Sequence, residues 1–159
     1  MTYLVLLILL VLIILQDFLI LLFFKGSIPG KQMRENPRIS ILVAARNEES
    51  CIGDCLKARA AQRYSPANLE ILVGDDQSTD DTAVIIKKLE HTIDSIRYVA
   101  IPEEYHGLSG KARVLAYLAK EASGEYYLIT DADTTPNPAW AQTLVDVISR
   151  EPYDLVNGV

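Results

Sequence analysis

Tyr126–Asp133, YYLITDAD, is a short apolar run that ends on two carboxylates two residues apart. Its length and its aromatic and β-branched content predict a strand over Tyr126–Thr130. Asp131 and Asp133 then fall past its carboxyl end, the edge at which open α/β sheets hold ligands. Carboxylates are seldom buried there unless they are paired or hold a metal. These two are too close in sequence to act as an acid and a base on opposite sides of a substrate. They suit a hard divalent cation, Mg2+ or Mn2+, that grips phosphate oxygens. A solvated turn or a helix cap is the competing reading of an isolated Asp-x-Asp, and the flanking sequence has to decide.

Immediately upstream, Lys111–Ala122 carries Val114, Leu115, Leu118, Ala119 and Ala122 on one helical stripe, and Gly124 punctuates it. Further back, Ile39–Ala44 (ISILVA) and Leu69–Gly74 (LEILVG) read as buried strands, with a weaker one over Ile96–Ile101. A helix is predicted from Asn47, as its N-cap, with Ile52, Cys55, Leu56 and Arg59 at helical spacing. Another starts after Ser78, which with Asp81 resembles a capping box and precedes Ala83, Val84, Ile86 and Leu89. Downstream, Pro138 suits the first turn of a helix carrying Trp140, Leu144, Val147 and Ile148, and Tyr153–Val159 reads as the start of a strand. Strands alternating with helices predict an α/β nucleotide-binding domain with a mostly parallel sheet.

In a parallel sheet the ends of the first, second and fourth strands open on one crevice. Those ends are Ala44-Ala45-Arg46-Asn47-Glu48, Asp75-Asp76 and Asp131-Ala132-Asp133. A nucleotide needs acceptors and donors for its base edge, and its diphosphate needs a cation or amide groups. Asp76 is placed to accept from a base N–H, Asp133 with Asp131 to hold the cation, and Lys111, after Gly110, to neutralise a phosphate. Asp75 serves either the base or the turn into the next helix. The chain has no Gly-x-Gly-x-x-Gly after its first strand and no Gly-rich Lys-Ser/Thr loop, which argues against dinucleotide oxidoreductases and P-loop enzymes.

The other end of the chain is different in kind. Leu4–Leu15 and Phe18–Phe24 are apolar almost without interruption, enough together to span a bilayer as a helix. Asp17 near the middle costs roughly 2.5–3.5 kcal/mol on an insertion scale and points to a membrane-protein partner or a polar cavity. Lys25, Lys31, Arg34 and Arg38 come after the run and no basic residue precedes it, so the charge bias puts the α/β domain on the cytoplasmic side. The expected organisation is a membrane anchor over 1–25, a Gly- and Pro-broken linker over 26–38, and the α/β domain over 39–159. A formal net charge of −6 with no basic cluster argues against nucleic acid as a partner. Cys51 and Cys55 have no companion cysteine or nearby histidine and read as reduced thiols, which matches a reducing compartment.

The residues carry a resemblance. ISILVAARNEES, LEILVGDDQSTDDTA and GKARVLAYLAKEASGEYYLITDADTTPNPAW resemble, in order and spacing, the amino-terminal part of inverting glycosyltransferases of family 2, which have the GT-A fold. The resemblance covers nearly all of Ile39–Trp140. It implies a nucleoside-diphosphate-sugar site in which Ala44, Arg46 and Glu48 line the nucleoside pocket. It further implies that Asp76 bonds the base, a uracil or similar edge, that Asp131 meets the ribose or sugar, and that Asp133 ligates Mg2+ or Mn2+ on the diphosphate. The acceptor it implies is a membrane or cell-envelope glycan or a lipid-linked one. The family's catalytic base lies many residues beyond the Asp-x-Asp strand, so it is expected after Val159, and none of Asp146, Glu151 or Asp154 is nominated. The family's Gln-x-x-Arg-Trp motif is absent too. This piece then reads as a donor half that lacks the acceptor half.

Two other functions compete. Nucleotidyl transfer to a sugar phosphate calls for a Gly-rich basic loop after the first strand, where this chain has Ala-Arg-Asn-Glu-Glu. A membrane-anchored, non-catalytic binding subunit is favoured by the missing acceptor half and by Asp17.

Overall fold

The computed structural model describes residues 16, 36–150 and 155, with the side chain of 150 left out. The chain divides into two compact units, Met33–Asp146 and Met1–Gln32 with Val147–Val159; the α/β fold is that of the first. The anchor expected over 1–25 (residue 16 apart), most of the linker over 26–38 and the strand expected from Tyr153 (residue 155 apart) lie outside the described residues. Among the described residues no helix is long and apolar enough to cross a membrane.

The elements come in the predicted order: β1 (Ile39–Ala45), α1 (Ile52–Ala60), β2 (Leu69–Asp75), α2 (Thr82–Glu90), β3 (Ile96–Ala100), α3 (Gly110–Glu121), β4 (Tyr126–Asp131) and α4 (Trp140–Arg150). The sheet runs β3-β2-β1-β4 with every pair parallel. β1 and β2 are central and covered on both faces, which is why their sequences are nearly continuous apolar runs and not alternating ones.

Alternation decides which face each residue serves. From β1, Ile39, Ile41, Val43 and Ala45 join Ile71, Val73 and Leu128 under Ile52, Leu56, Ile86, Ala141 and Val145 of α1, α2 and α4. Leu42, with Leu72 and Val99, meets Val114 and Leu118 of α3 on the other face. α3 packs on β1 and β2, where Gly74 makes room: a Cβ there would sit 2.5 Å from Val114 Cγ1. On β4 the residues in register with Ser40 and Leu42, Tyr127 and Ile129, stay 48% and 57% exposed.

Successive strands run from β1 to β2 and β3 on one side, and the chain then returns to place β4 on the other. The reversal of direction lies between β1 and β4. A crevice opens outside the carboxyl ends at such a point, and the register puts Ala44 opposite Asp131 there.

Two local expectations need correction. Asn47 is not an N-cap: α1 begins at Ile52, and Asn47, at φ 54°, turns its side-chain oxygen across to the Thr79 N–H at 2.9 Å. Asparagine tolerates that left-handed backbone well. Nor does Ser78 cap α2. Its hydroxyl donates to Asp75 and accepts the Asn47 N–H at 2.9 Å, while Asp80 Oδ1 accepts from Thr82 N and Oγ1. In both cases a partner some thirty residues away in sequence outcompetes the local one.

Candidate active site

The floor of the crevice is built by the loops after β1 and β2, which are bonded to each other. Besides the Asn47 and Ser78 contacts, Glu48 N donates to Thr82 Oγ1 at 2.8 Å, Glu49 N to Asp80 Oδ2 at 3.2 Å, and Asp81 N to Glu49 Oε2 at 3.0 Å. Asp75 fixes the turn by accepting from Ser78 N at 3.1 Å and from its hydroxyl. Of the two roles open to Asp75, the structure shows the turn. Asp76 N continues the strand pairing by donating to Ala45 O at 2.8 Å.

That leaves the Asp76 side chain, 8% exposed, facing the crevice between two arginines. Arg113 Nη2 lies 2.5 Å from one carboxylate oxygen and Arg46 Nη1 3.8 Å from the other. Arg113 is also tied to the Glu103 carbonyl, and its buried Nε has no partner among the described residues. On the other side of β1, Lys111 Nζ donates to Asp131 Oδ1. Both cations belong to the first turn of α3, which Gly110 enters at φ 53°, a backbone conformation that suits glycine. Asp76 and Asp131 are thus each matched by a cation from α3.

Beyond β4 the alternation of the strand persists for two residues. Asp131, 57% exposed, and Asp133 turn outward, while Ala132 is buried in the core between them. Asp133 has no ion-pair partner among the described residues. Beneath this turn lies Arg59 of α1, fully buried. Its Nη1 donates to the Thr134 carbonyl and the Cys55 carbonyl, each at 2.9 Å. Its Nη2 donates to the Asp131 carbonyl at 2.7 Å and to the hydroxyls of Thr130 and Thr134. Burial pulls this guanidinium below its ordinary value, against the pull of Cys55, Asp131 and Asp133. Burial likewise pushes the neighbouring Cys55 thiol up to about 11, with Arg59 opposing. At neutral pH it is a packed, protonated thiol.

The structure therefore brings Ala44, Arg46, Asp76, Lys111 and Asp131 to one edge, with Asp133 next to Asp131. Glu48 stands apart in its contacts: its carboxylate takes the Cys51 thiol at 3.0 Å. No group of three or more His, Cys, Asp or Glu able to hold a metal occurs among the described residues. Two outward carboxylates, one of them bonded to a lysine, do not make a resident metal site. They fit a cation that keeps water and takes the rest of its ligands from a diphosphate, as Mg2+ characteristically does. Two residues with evident roles escaped the sequence reading. Arg59 was visible as the one charge on the apolar stripe Ile52, Cys55, Leu56, Arg59; nothing local marked Arg113.

A family model described as "Glycosyl transferase family 2" matches residues 40–159. The "Probable glycosyltransferase YdaM" of Bacillus subtilis is 35% identical over 115 residues, covering 71% of this chain and 27% of that one. Among solved structures, S. aureus TarS 1–349 in complex with UDP-GlcNAc is 28% identical with a TM-score of 0.59, over 71% of this chain and 31% of that one. The mannosyltransferase PcManGT from Pyrobaculum calidifontis, in complex with GDP-Man and Mn2+, is 26% identical with a TM-score of 0.60, over 86% and 39%. The chain thus spans between a quarter and two fifths of the length of these relatives.

Proposed function

Since the chain belongs to glycosyl transferase family 2, we propose that it forms the donor-binding half of an inverting glycosyltransferase that uses a nucleoside-diphosphate sugar, UDP-linked by preference. The observation that carries this reading is the juxtaposition at the β1–β4 reversal. Asp131 lies opposite Ala44, with Lys111 on Asp131 and Arg113 on Asp76.

Asp76, oriented by Arg113, accepts an N–H of the base, and Ala44, Arg46 and Glu48 border the nucleoside. Arg46 is exposed and close enough to Asp76 to cover the base once it is seated. Asp131 receives a ribose or sugar hydroxyl, and Lys111, released from Asp131, neutralises a phosphate oxygen. Asp133, with Asp131, would hold Mg2+ or Mn2+. When bound, that cation supplies charge neutralisation at the departing nucleoside diphosphate. In the overall reaction an acceptor oxygen bonds to the anomeric carbon as the bond to the diphosphate oxygen breaks, from the opposite side. The acceptor's proton passes to a carboxylate that we assign to sequence outside these 159 residues, together with the acceptor site. For the acceptor we propose a cell-envelope glycan or lipid-linked glycan, reached from the cytoplasmic face of a membrane that residues 1–25 enter. Asp17 in that run is a candidate contact for a membrane-protein partner.

Calorimetric titration of the full chain with UDP and with GDP, each with and without Mn2+, tests the donor site. UDP binding that strengthens with Mn2+ is expected, and Asp133→Ala should weaken the Mn2+-dependent binding by about tenfold or more. No binding of either nucleotide by a sample that melts cooperatively would overturn the reading. Binding without metal dependence would remove the cation from it.

A further inference from the structure

Arg59 is the bulkiest fully buried side chain among the described residues, and it carries a charge. A buried guanidinium is costly unless its surroundings replace water. Here five oxygens and the Cys55 sulfur at 2.8 Å do so, yet none of the oxygens is a carboxylate and Nε has no partner among the described residues. An apolar residue on the same helical stripe would serve the core without that cost, as Ile52 and Leu56 do. The arginine needs a reason other than packing.

Its contacts supply one. The planar fork reaches the carbonyls of Asp131 and Thr134, the two ends of the turn that holds Asp133, and fastens both to the Cys55 carbonyl of α1. Thr134 Oγ1 closes the turn by donating to Asp131 O at 3.0 Å, and it also accepts from Arg59. With both carbonyls held from beneath and Ala132 buried, the side chains of Asp131 and Asp133 are left facing the crevice. We propose that Arg59 is a positioning residue for the cation-dependent part of donor binding: it prepares the 131–134 turn so that both carboxylates are presented before the ligand arrives. This rests on the donor-site reading above. Partners that orient a metal's ligands commonly matter tenfold or more to affinity.

The sign of the effect makes the idea testable. Arg59 is a positive charge behind a cation site, so removing it would, by charge alone, strengthen cation binding. A loss confined to the Mn2+-dependent binding would therefore point to lost positioning. In the full chain, Arg59→Met should weaken UDP binding in Mn2+ by about tenfold or more, and UDP binding without metal by much less. Thr134→Val, which keeps the charge, should give a smaller loss in the same direction. In the metal-free, ligand-free protein, the amide resonances of Ala132 and Asp133 should shift or broaden in both variants. Equal losses with and without Mn2+ would mean a purely structural role, and unchanged or tighter binding in Mn2+ would overturn the proposal outright. If Arg59→Met does not melt cooperatively, Thr134→Val decides by the same readouts. If the wild-type chain binds neither UDP nor GDP, the donor-site reading fails. The amide resonances then still judge whether Arg59 sets the turn, and unmoved resonances would sink it.

Discussion

Four groups converge on the carboxylate of Glu70 in β2: the Ser40 hydroxyl at 2.5 Å, the Ser123 N–H at 2.6 Å and hydroxyl at 2.9 Å, and Arg38 at 3.8 Å. Burial alone would raise this carboxyl, but the bonds from Ser40 and Ser123, with Arg38, hold it below its ordinary value. The pair Ser40–Glu70 lies in register across β1 and β2, and Ser123 begins the approach to β4. A carboxylate depressed in the folded state contributes stability that is present above its unfolded value and is lost as pH falls through the folded one. Glu70→Gln should therefore cost about 1–3 kcal/mol at pH 7. The gap between the two proteins' unfolding free energies should narrow as the medium is acidified below about pH 4.3, the ordinary glutamate value. Denaturant unfolding at a series of pH values measures both. A gap that stays constant under acidification would show that the charge of Glu70 contributes nothing.

At the scale of elements, the close approach of α3 to β2, and of the segment between α3 and β4 to β1, rests on two glycines that differ in what surrounds them. A Cβ on Gly124 would stand 2.5 Å from Ser40 N and 2.8 Å from the Ile39 carbonyl carbon, both backbone atoms that cannot step aside. One on Gly74 meets mainly the side chains of Val114 and Ile101. Gly124→Ala should then cost about 3 kcal/mol, the upper end for overpacking, and Gly74→Ala less. Thermal unfolding of the two variants side by side checks the order; equal costs would contradict it. The same scale shows what could be read in advance. β1, β2 and β4 were legible because strands buried between layers must be short and apolar. The Asp-x-Asp was legible because it terminates one of them. Two helix starts were not: Asn47 and Ser78 look like local caps, and Thr79 and Asn47, from the opposite loop, take their bonds. Arg113 was missed for the same reason, since its meaning lies in Asp76, across a strand and a loop.

For the molecule as a whole, the proposed place at a membrane rests on the apolar run at one end and the basic residues after it, while the chain is otherwise acidic, with a net charge of −6. A helix inserted in the bilayer resists alkaline extraction, whereas a protein held at the surface by charge does not. The full chain should remain with membranes at high pH. In sealed inside-out vesicles, whose cytoplasmic face is outward, protease should reach the domain. Release at high pH would remove the anchor, and protection in those vesicles would reverse the orientation.

The cross-bonded loops after β1 and β2 bear on how such domains can be recombined. Asn47, Glu48 and Glu49 exchange six backbone and side-chain bonds with Ser78, Thr79, Asp80, Asp81 and Thr82, besides those that Glu48 takes from Cys51 and Ile52. A chimera that imports 46–51 from a relative while retaining the native 75–82 mates two halves of different clasps. The same two segments moved together form a single cassette, and the interlocking that hides their roles from a local reading makes them inheritable only as a pair.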